Sequence, residues 1–329
     1  MNIAISILKL TLKRVVMKSQ NDLAITQRQI KMKGILLKVL SGFCYVEVDG
    51  KVYECKPRGN LRHDGVGLLA GDNVEISLLD NGKGVLEKVV DRHNSLVRPP
   101  VSNIDRLFIV SSHNTPAPNS LLIDRVCAIA VNKGIEPIVV FNKSDLGNFD
   151  EWENIYNTVG IKTFVVSAHN PETLNELKKC ICQKGISALT GNSGVGKSSI
   201  LNALFPNLLL ETGEVSEKLG RGRHTTRKVE LYRVADNSYV ADTPGFSSLD
   251  IQRCEVVFKE DIADCFSEFT EYIDKCKFTS CSHINERDCG VKNAVDKGAI
   301  HQSRYQSYVT FYNEVKDLKP WNVQKQNKT

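Results

Sequence analysis

The sequence predicts a multidomain chain with an N-terminal β-barrel, a central α/β domain and a mainly α-helical C-terminal domain. Near the N-terminus, five short strand patterns fall within fewer than sixty residues, a density typical of a small barrel or sandwich. Beyond Arg98-Pro99-Pro100, strand and helix patterns alternate, as they do when helices cover a parallel sheet. The chain has 329 residues, 41% hydrophobic and 25% charged, which suffices for two or three globular domains.

The first domain is expected to span residues 33–95. Its Asp49-Gly50 pair predicts a tight hairpin, because the turn needs positive φ at both central residues. Five strands of this size favour an OB-fold, whose open face commonly receives nucleic acid, and an SH3-like barrel is the alternative. In residues 1–62, twelve Lys or Arg outnumber four Asp or Glu, which agrees with a polyanionic partner, although solvated surface explains most basic stretches. The predicted strands cover residues 34–40, 43–48, 52–56, 73–79 and 84–90.

Residues 1–32 fit no domain pattern and are interpreted as a tail of unknown role, with Met17 and Met32 as alternative starts. The basic residues of this tail follow its apolar stretch, the reverse of a secretory signal. No run of eighteen apolar residues occurs, so no membrane span or membrane partner is expected. We therefore expect a cytoplasmic monomer whose ten cysteines include no disulfides.

A phosphate-binding loop is the strongest motif of the central domain. The letters GNSGVGKS follow an apolar strand pattern and open a helix, which is the context that this motif requires. Backbone N–H groups of such a loop cradle the α- and β-phosphates, Lys197 reaches the β and γ oxygens, and Ser198 binds Mg²⁺. The expected contacts are Gly191, Asn192, Ser193, Gly194, Val195, Gly196, Lys197, Ser198 and Ser199.

A second motif predicts that the bound base is guanine. Asn142-Lys143-Ser144-Asp145 follows an apolar strand pattern, and its Asp can accept two hydrogen bonds that guanine offers and adenine does not. An unpaired carboxylate would penalise ATP strongly. Asn142 is expected to hold the N7 and O6 edge, and the Lys143 stem to lie over the base. Ser167 and Ala168 would support guanine recognition through backbone contacts.

Two further Mg²⁺ ligands are expected after the phosphate loop. Asp242 opens an Asp-Thr-Pro-Gly motif behind a strand pattern and would reach Mg²⁺ through water. The Gly-rich loop 220–226 is suited to a switch that orders around Mg²⁺ and the γ-phosphate. Thr225 or Thr226 in this loop would supply a hydroxyl ligand, and Thr226 is favoured.

The catalytic water needs a positioning group that the usual motif does not supply. Ras-like enzymes use a glutamine after the Asp-x-x-Gly glycine, and this chain has Phe246 there. His224, in the switch loop, is the candidate, because a neutral imidazole accepts a hydrogen bond from water near pH 7. A loop cap or an RNA contact is the plainer interpretation of His224. Lys197 is the second catalytic candidate.

The order of these motifs is cyclically shifted. In ordinary GTPases the phosphate loop comes first, whereas here the guanine motif and Ser167-Ala168 precede it. The central domain, residues 96–250, is therefore predicted to be a circularly permuted P-loop GTPase. Its switch end would lead directly into the C-terminal domain, residues 251–329.

The C-terminal domain contains a cluster of metal-ligand types. Cys276, Cys281, His283 and Cys289 provide three thiolates and one imidazole within fourteen residues, enough for a tetrahedral Zn²⁺ site. Four protein ligands leave no open position, so one structural zinc is expected. Unrelated cysteines are the alternative, since the spacing differs from paired Cys-x-x-Cys motifs.

Together these motifs resemble the ribosome small subunit-dependent GTPase A (RsgA) family over residues 33–312. The resemblance implies a cytoplasmic bacterial protein that hydrolyses GTP to GDP, carries zinc in its tail, and binds the small ribosomal subunit and its rRNA during late maturation. A nucleotide-gated RNA-binding scaffold and a GTPase regulating a protein partner are the alternatives. Further matching residues are Arg58-Gly59, Gly71-Asp72, Arg98-Pro99 and Asn103-Ile104-Asp105.

Overall fold

A computed structural model of the chain describes residues 31–59, 61, 67–79, 82–114, 116–208, 229–242 and 248–319. In these ranges no helix is long and apolar enough to cross a membrane. All ten cysteines are free thiols.

The first five strands close into a barrel in the order β1-β2-β3-β5-β4. Strand β1 pairs antiparallel with both β2 and β4, and β3 pairs parallel with β5. This connectivity is that of an OB-fold, so the predicted barrel is confirmed over the SH3-like alternative. The strands are β1 Lys31–Leu40, β2 Phe43–Val48, β3 Lys51–Pro57, β4 Asn73–Leu78 and β5 Gly84–Val89. The barrel has an apolar core of its own, made by Leu36, Cys44, Val46, Val48, Cys55, Val74, Ile76 and Leu86.

A short ribbon joins the barrel to the next domain. Its strands are β6 Ser95–Leu96 and β7 Val101–Ser102. The buried Asp72 carboxylate accepts hydrogen bonds from Arg92 Nε at 2.6 Å and from Ser102 Oγ at 2.7 Å. Gly71 has φ 97°, and a Cβ there would lie 2.1 Å from Ser102 O. The connection between the barrel and the ribbon therefore requires a glycine at position 71, and the acid that follows it, Asp72, holds Arg92 and Ser102.

The central sheet has six strands in the order β10-β9-β8-β11-β13-β12. All pairs are parallel except that of β12 with β13. Every residue of β8 is buried, as expected for a strand covered on both faces. The strands are β8 Arg106–Ser112, β9 Glu136–Asn142, β10 Lys162–Val165, β11 Gly185–Thr190, β12 Glu230–Ala235 and β13 Ser238–Asp242, and the helices α1 Ser120–Asn132, α2 Asp150–Thr158, α3 Asn175–Ile181 and α4 Lys197–Leu204.

Residues 248–319 form helices and turns without a strand, as predicted. The helices are α5 Ser248–Cys254, α6 Thr270–Ile273, α7 Gly290–Asp296 and α8 Gln302–Val315. Their apolar side chains do not form a separate core. They belong to the same buried cluster as Ile109, Ile123 and Val126 of the central domain, to which they add Ile251, Phe266, Phe269, Val291, Tyr308 and Phe311.

Candidate nucleotide site and metal centre

Four of the sequence motifs meet at one edge of the sheet. Strands β9, β10, β11 and β13 run in the same direction, so their carboxyl ends lie side by side. Ligands of open α/β sheets bind at this edge. The guanine motif follows β9, Ser167-Ala168 follows β10, the phosphate loop follows β11, and Asp242 ends β13.

The phosphate loop needs its glycines for close approach and for positive φ. Gly191 and Gly196 have φ 151° and 94°. A Cβ on Gly191 would lie 2.3 Å from Val110 O, and one on Gly196 would lie 2.3 Å from Asn142 Nδ2. The loop thus packs directly on β8 and on the guanine motif. It then enters α4, whose first-turn N–H groups form a ready anion site.

Lys197 stands at the start of α4, over the loop. Its ammonium donates to Gly191 O at 2.7 Å and to Asn192 O at 3.1 Å. Burial lowers the pKa of this amine to about 8, because a buried cation loses hydration. An anionic phosphate beside it would offset that cost. The half-buried Ser198 follows in the first turn.

Asn142 ties the guanine motif to the phosphate loop. Its Nδ2 donates to Val195 O at 2.8 Å, and its Oδ1 accepts from Ala168 N at 3.3 Å. The side chain is buried. Its oxygen and one N–H are used in these bonds, so Asn142 has one N–H left for the N7 and O6 edge of guanine. In this structure its side chain mainly joins the guanine motif to the phosphate loop and to the Ser167-Ala168 turn.

Asp145 presents an ionised carboxylate at the same edge. Ser167 Oγ donates to Asp145 Oδ1, and this hydrogen bond is the main cause of its lowered pKa. The residue is exposed. Backbone bonding of Ser144 N to Val166 O, at 3.1 Å, holds the guanine motif against the Ser167-Ala168 turn. Asp145 can therefore accept from a ligand while it accepts from Ser167.

Several predicted residues lie outside what the structure describes. His224, Thr225 and Thr226 belong to the undescribed segment 209–228, and residues 243–247 are also outside. Asp242 ends β13, but its side chain is not among the described ones. Their catalytic and Mg²⁺ roles stay predictions.

The four predicted metal ligands come together in the C-terminal domain. Their ligand atoms lie within 4.8 Å of one another. His283 Nδ1 lies 3.5 Å from Cys276 Sγ and 3.4 Å from Cys289 Sγ, and the two sulfurs are 3.9 Å apart. Bond lengths of about 2.3 Å for Zn–S and 2.0–2.1 Å for Zn–N give tetrahedron edges of about 3.5–3.8 Å. The three distances among Cys276, His283 and Cys289 match these edges, and Cys281, whose sulfur lies within 4.8 Å of the other ligand atoms, can supply the fourth ligand.

Three side chains hold the metal loop and were not predicted. Tyr305 and Tyr308 of α8 donate to His283 O and Ser282 O, both at 2.8 Å. Glu286 accepts from Ser282 N and Oγ at 2.8 and 2.7 Å. Burial would raise the pKa of Glu286, but these hydrogen bonds lower it to about 2. The spacing of the tyrosines on α8 indicates only that one face of the helix is packed. That two of them bind the metal loop can be seen only in the folded structure.

Comparisons with known proteins agree with this geometry. The RsgA N-terminal domain model matches residues 33–86, and the RsgA GTPase model matches residues 89–252. A protein of Caldanaerobacter subterraneus subsp. tengcongensis, named small ribosomal subunit biogenesis GTPase RsgA, is 42% identical over 290 residues, which are 87% of this chain and 97% of that protein. The chain belongs to the RsgA GTPase family. The predicted family resemblance and GTPase class are thus confirmed.

Two solved structures share this fold over most of the chain. YjeQ from Thermotoga maritima matches with a TM-score of 0.75 at 32% identity, over 88% of this chain and 100% of that one. YloQ, described as a circularly permuted GTPase, matches with a TM-score of 0.74 at 32% identity, over 90% and 98% of the two chains. A Streptococcus pneumoniae RsgA is 42% identical over 290 residues, 87% of this chain and 95% of the relative. The predicted fold class is confirmed, including the permuted order.

Proposed function

We propose that this RsgA-family protein is a cytoplasmic monomer that binds the small ribosomal subunit and its rRNA, hydrolyses GTP to GDP there, and leaves after hydrolysis. The relatives' name, small ribosomal subunit biogenesis GTPase, supports this function. The observation that supports GTP binding most directly is that the guanine motif and the phosphate loop form one site, because Asn142 donates a hydrogen bond to Val195 O of the phosphate loop. The proposed domains are residues 33–95, 96–250 and 251–329, after a tail of unknown role.

In the proposed site, Asp145 accepts hydrogen bonds from guanine, and the Lys143 stem covers the base. Lys197 neutralises the β- and γ-phosphates. Ser198, Thr226 and Asp242 would hold Mg²⁺, which supplies charge neutralisation on those phosphates when bound. His224 would orient the attacking water. GTP contacts would also come from Asn142, Ser144, Ser167, Ala168, Gly191, Asn192, Ser193, Gly194, Val195, Gly196 and Ser199.

The metal centre is proposed to hold one structural zinc. Thiolate and imidazole donors in a tetrahedral set suit zinc better than Mg²⁺ or Ca²⁺, which prefer oxygen. The ligands would be Cys276, Cys281, His283 and Cys289, with their loop buttressed by α8.

An aromatic and basic patch on the barrel supports rRNA binding. The half-buried Phe43 ring has the Lys56 and Lys83 ammonium groups 5.5 and 5.9 Å from its centre, and Lys83 also pairs with Glu54 at 2.8 Å. Aromatic faces flanked by lysines bind bases and phosphates together. Contacts of this kind would make subunit binding weaken as salt rises.

The function is tested by measuring GTP turnover against increasing purified small or large ribosomal subunits. Stimulation by the small subunit alone is expected. Equal turnover with and without small subunits, despite their binding, would instead favour a nucleotide-gated scaffold. Absence of binding would favour a protein partner.

The guanine assignment is tested by the variant Asp145→Asn. This change removes a charged acceptor for two guanine N–H groups, and it should weaken GTP binding about a hundredfold. XTP, which has a carbonyl where guanine has its amine, should then bind better than GTP. The matched control is Asp150→Asn, an exposed acid five residues away, which should retain GTP affinity. Unchanged GTP affinity in Asp145→Asn would refute the assignment.

A further inference from the structure

Arg125 of α1 contacts two other elements at the boundary between the GTPase and C-terminal domains. Its Nη2 lies 2.5 Å from Glu314 Oε2 on α8, and its Nη1 lies 3.5 Å from Gln252 Oε1 on α5. The guanidinium carbon also stands 5.1 Å from the centre of the Phe311 ring. One side chain thus connects three helices.

The helix α5 that Arg125 contacts follows the Asp-Thr-Pro-Gly motif in the chain. It begins at Ser248, three residues beyond Gly245 of the Asp-Thr-Pro-Gly motif. Gln252 makes a second contact with α1, in which its Nε2 donates a hydrogen bond to Leu122 O at 3.1 Å. A displacement of α5 would therefore change both contacts of Gln252 with α1.

The start of α8, at the opposite end from Glu314, is firmly anchored on α1. Arg304 of α8 donates to Asp124 of α1 at 2.7 Å, and both side chains are almost completely buried. Arg125 is the next residue along α1, and its side chain is 16% exposed. A planar guanidinium with several donors can hold Glu314 and Gln252 in fixed relative positions, which a lysine ammonium on a flexible stem does poorly.

We infer that Arg125 is a positioning residue through which α5, the helix that follows the Asp-Thr-Pro-Gly motif in the chain, controls the position of the Glu314 end of α8. Reciprocity then requires that a partner held by the C-terminal domain changes the nucleotide site through the same contact. This inference rests on the proposed function, because it describes how the subunit would regulate hydrolysis. The 3.5 Å contact to Gln252 is the one that a small shift of α5 would break or shorten.

The direct test compares backbone hydrogen exchange of α8 in the full chain bound to GDP and to a non-hydrolysable GTP analogue. In the wild type, the exchange of Gln302–Val315 should differ between the two nucleotides. The difference should fall at least fivefold in Arg125→Gln and in Glu314→Gln, and persist in the control Lys179→Gln, which breaks an exposed ion pair with Glu176. Glu314 is half exposed, so its variant should fold normally.

Subunit-stimulated turnover gives the second measurement. Arg125→Gln and Gln252→Ala should lose most of the stimulation, while intrinsic turnover and GTP affinity stay within twofold of the wild type. Arg125→Lys should restore part of it at most. An α8 exchange that is the same in both nucleotides, or that differs equally in wild type and variants, would overturn the inference. Absence of stimulation in the wild type would refute the proposed function, but the exchange result would still decide the role of Arg125.

Discussion

The two domains that flank the GTPase domain contact it in different ways. The C-terminal domain shares the buried apolar cluster of the sheet and α1. It also buries an ion network there, in which Arg304 binds Asp124 and Glu268, each at 2.7 Å. The barrel has a separate core. To the shared cluster it adds one small buried side chain, Ala70 between β3 and β4, and the partly buried Ile35 and Leu37 of β1 pack against that cluster.

The contact of the barrel with the sheet is mainly polar. Lys38 pairs with Glu230 at 2.5 Å, with about a third of each side chain exposed. Glu47 is more buried and binds Arg233 Nη1 at 3.2 Å and the Tyr239 hydroxyl at 3.3 Å. Because its apolar core is shared, the C-terminal domain should unfold together with the GTPase domain. The barrel, which has its own core and a mainly polar contact, should unfold as a separate unit.

Removal of the metal should have the largest effect. Chelation, or Cys276→Ser, should expose residues 276–289 to hydrogen exchange and proteolysis, because metal binding to such sites contributes about 10–16 kcal/mol in small zinc peptides. Exchange in the barrel strands should not change, and GTP affinity should be largely retained. Equal protection of residues 276–289 with and without metal would contradict the structural role of the site.

Arg304→Met should destabilise the GTPase and C-terminal domains together. The variant leaves Asp124 and Glu268 buried without their cation, which costs about 3–5 kcal/mol. Urea unfolding followed by circular dichroism would measure the loss. Exchange in β1 to β5 serves as the internal control. A loss below about 1 kcal/mol would show that the network contributes no more than an exposed pair.

Nucleotide binding should depend on pH through Lys197, which lies in neither interdomain contact. The pKa of the free amine is about 8, and a bound phosphate raises it. GTP affinity should therefore be full below pH 8 and fall as pH rises above 8, by up to about tenfold per pH unit. Calorimetric titration from pH 7 to 9 would measure this. Lys197→Arg should bind with constant affinity over that range, and the same constancy in the wild type would contradict the assignment.

Lys38→Met should have the smallest effect. Breaking an ion pair with about a third of each side chain exposed costs about 1 kcal/mol or less, so the urea unfolding curve should shift little. Lys179→Gln, which breaks the exposed pair with Glu176, is the matched control. A cost near 3 kcal/mol would indicate that the barrel is joined as firmly as the C-terminal domain, and would remove the contrast between them.

Local signals predicted most of the fold and both sites. The apolar strand, Gly-rich loop and helix around Lys197 lie next to one another in the chain, and the four metal ligands lie within fourteen residues. Strand β12 was not predicted, because Glu230 and Arg233 place polar side chains toward the barrel and weaken its alternation. Its antiparallel pairing depends on β13 alone.

Contacts between distant residues could not be predicted from the sequence. Arg304 and Asp124 are 180 residues apart, and Asn142 and Val195 are 53 apart. Periodicity shows which face of a helix is buried and not which partner it meets. The shared core of two domains and the Asn142 bridge therefore became visible only in the folded structure.

The claim that the C-terminal and GTPase domains form one unit, separate from the barrel, is tested most directly by native-state hydrogen exchange in rising urea. Amides of α8, β8 and β11 should open with one common free energy and one urea dependence, and those of β1 to β5 with another. Opening of α8 well below the urea concentration that opens β8 and β11, or a single transition that includes the barrel, would contradict it.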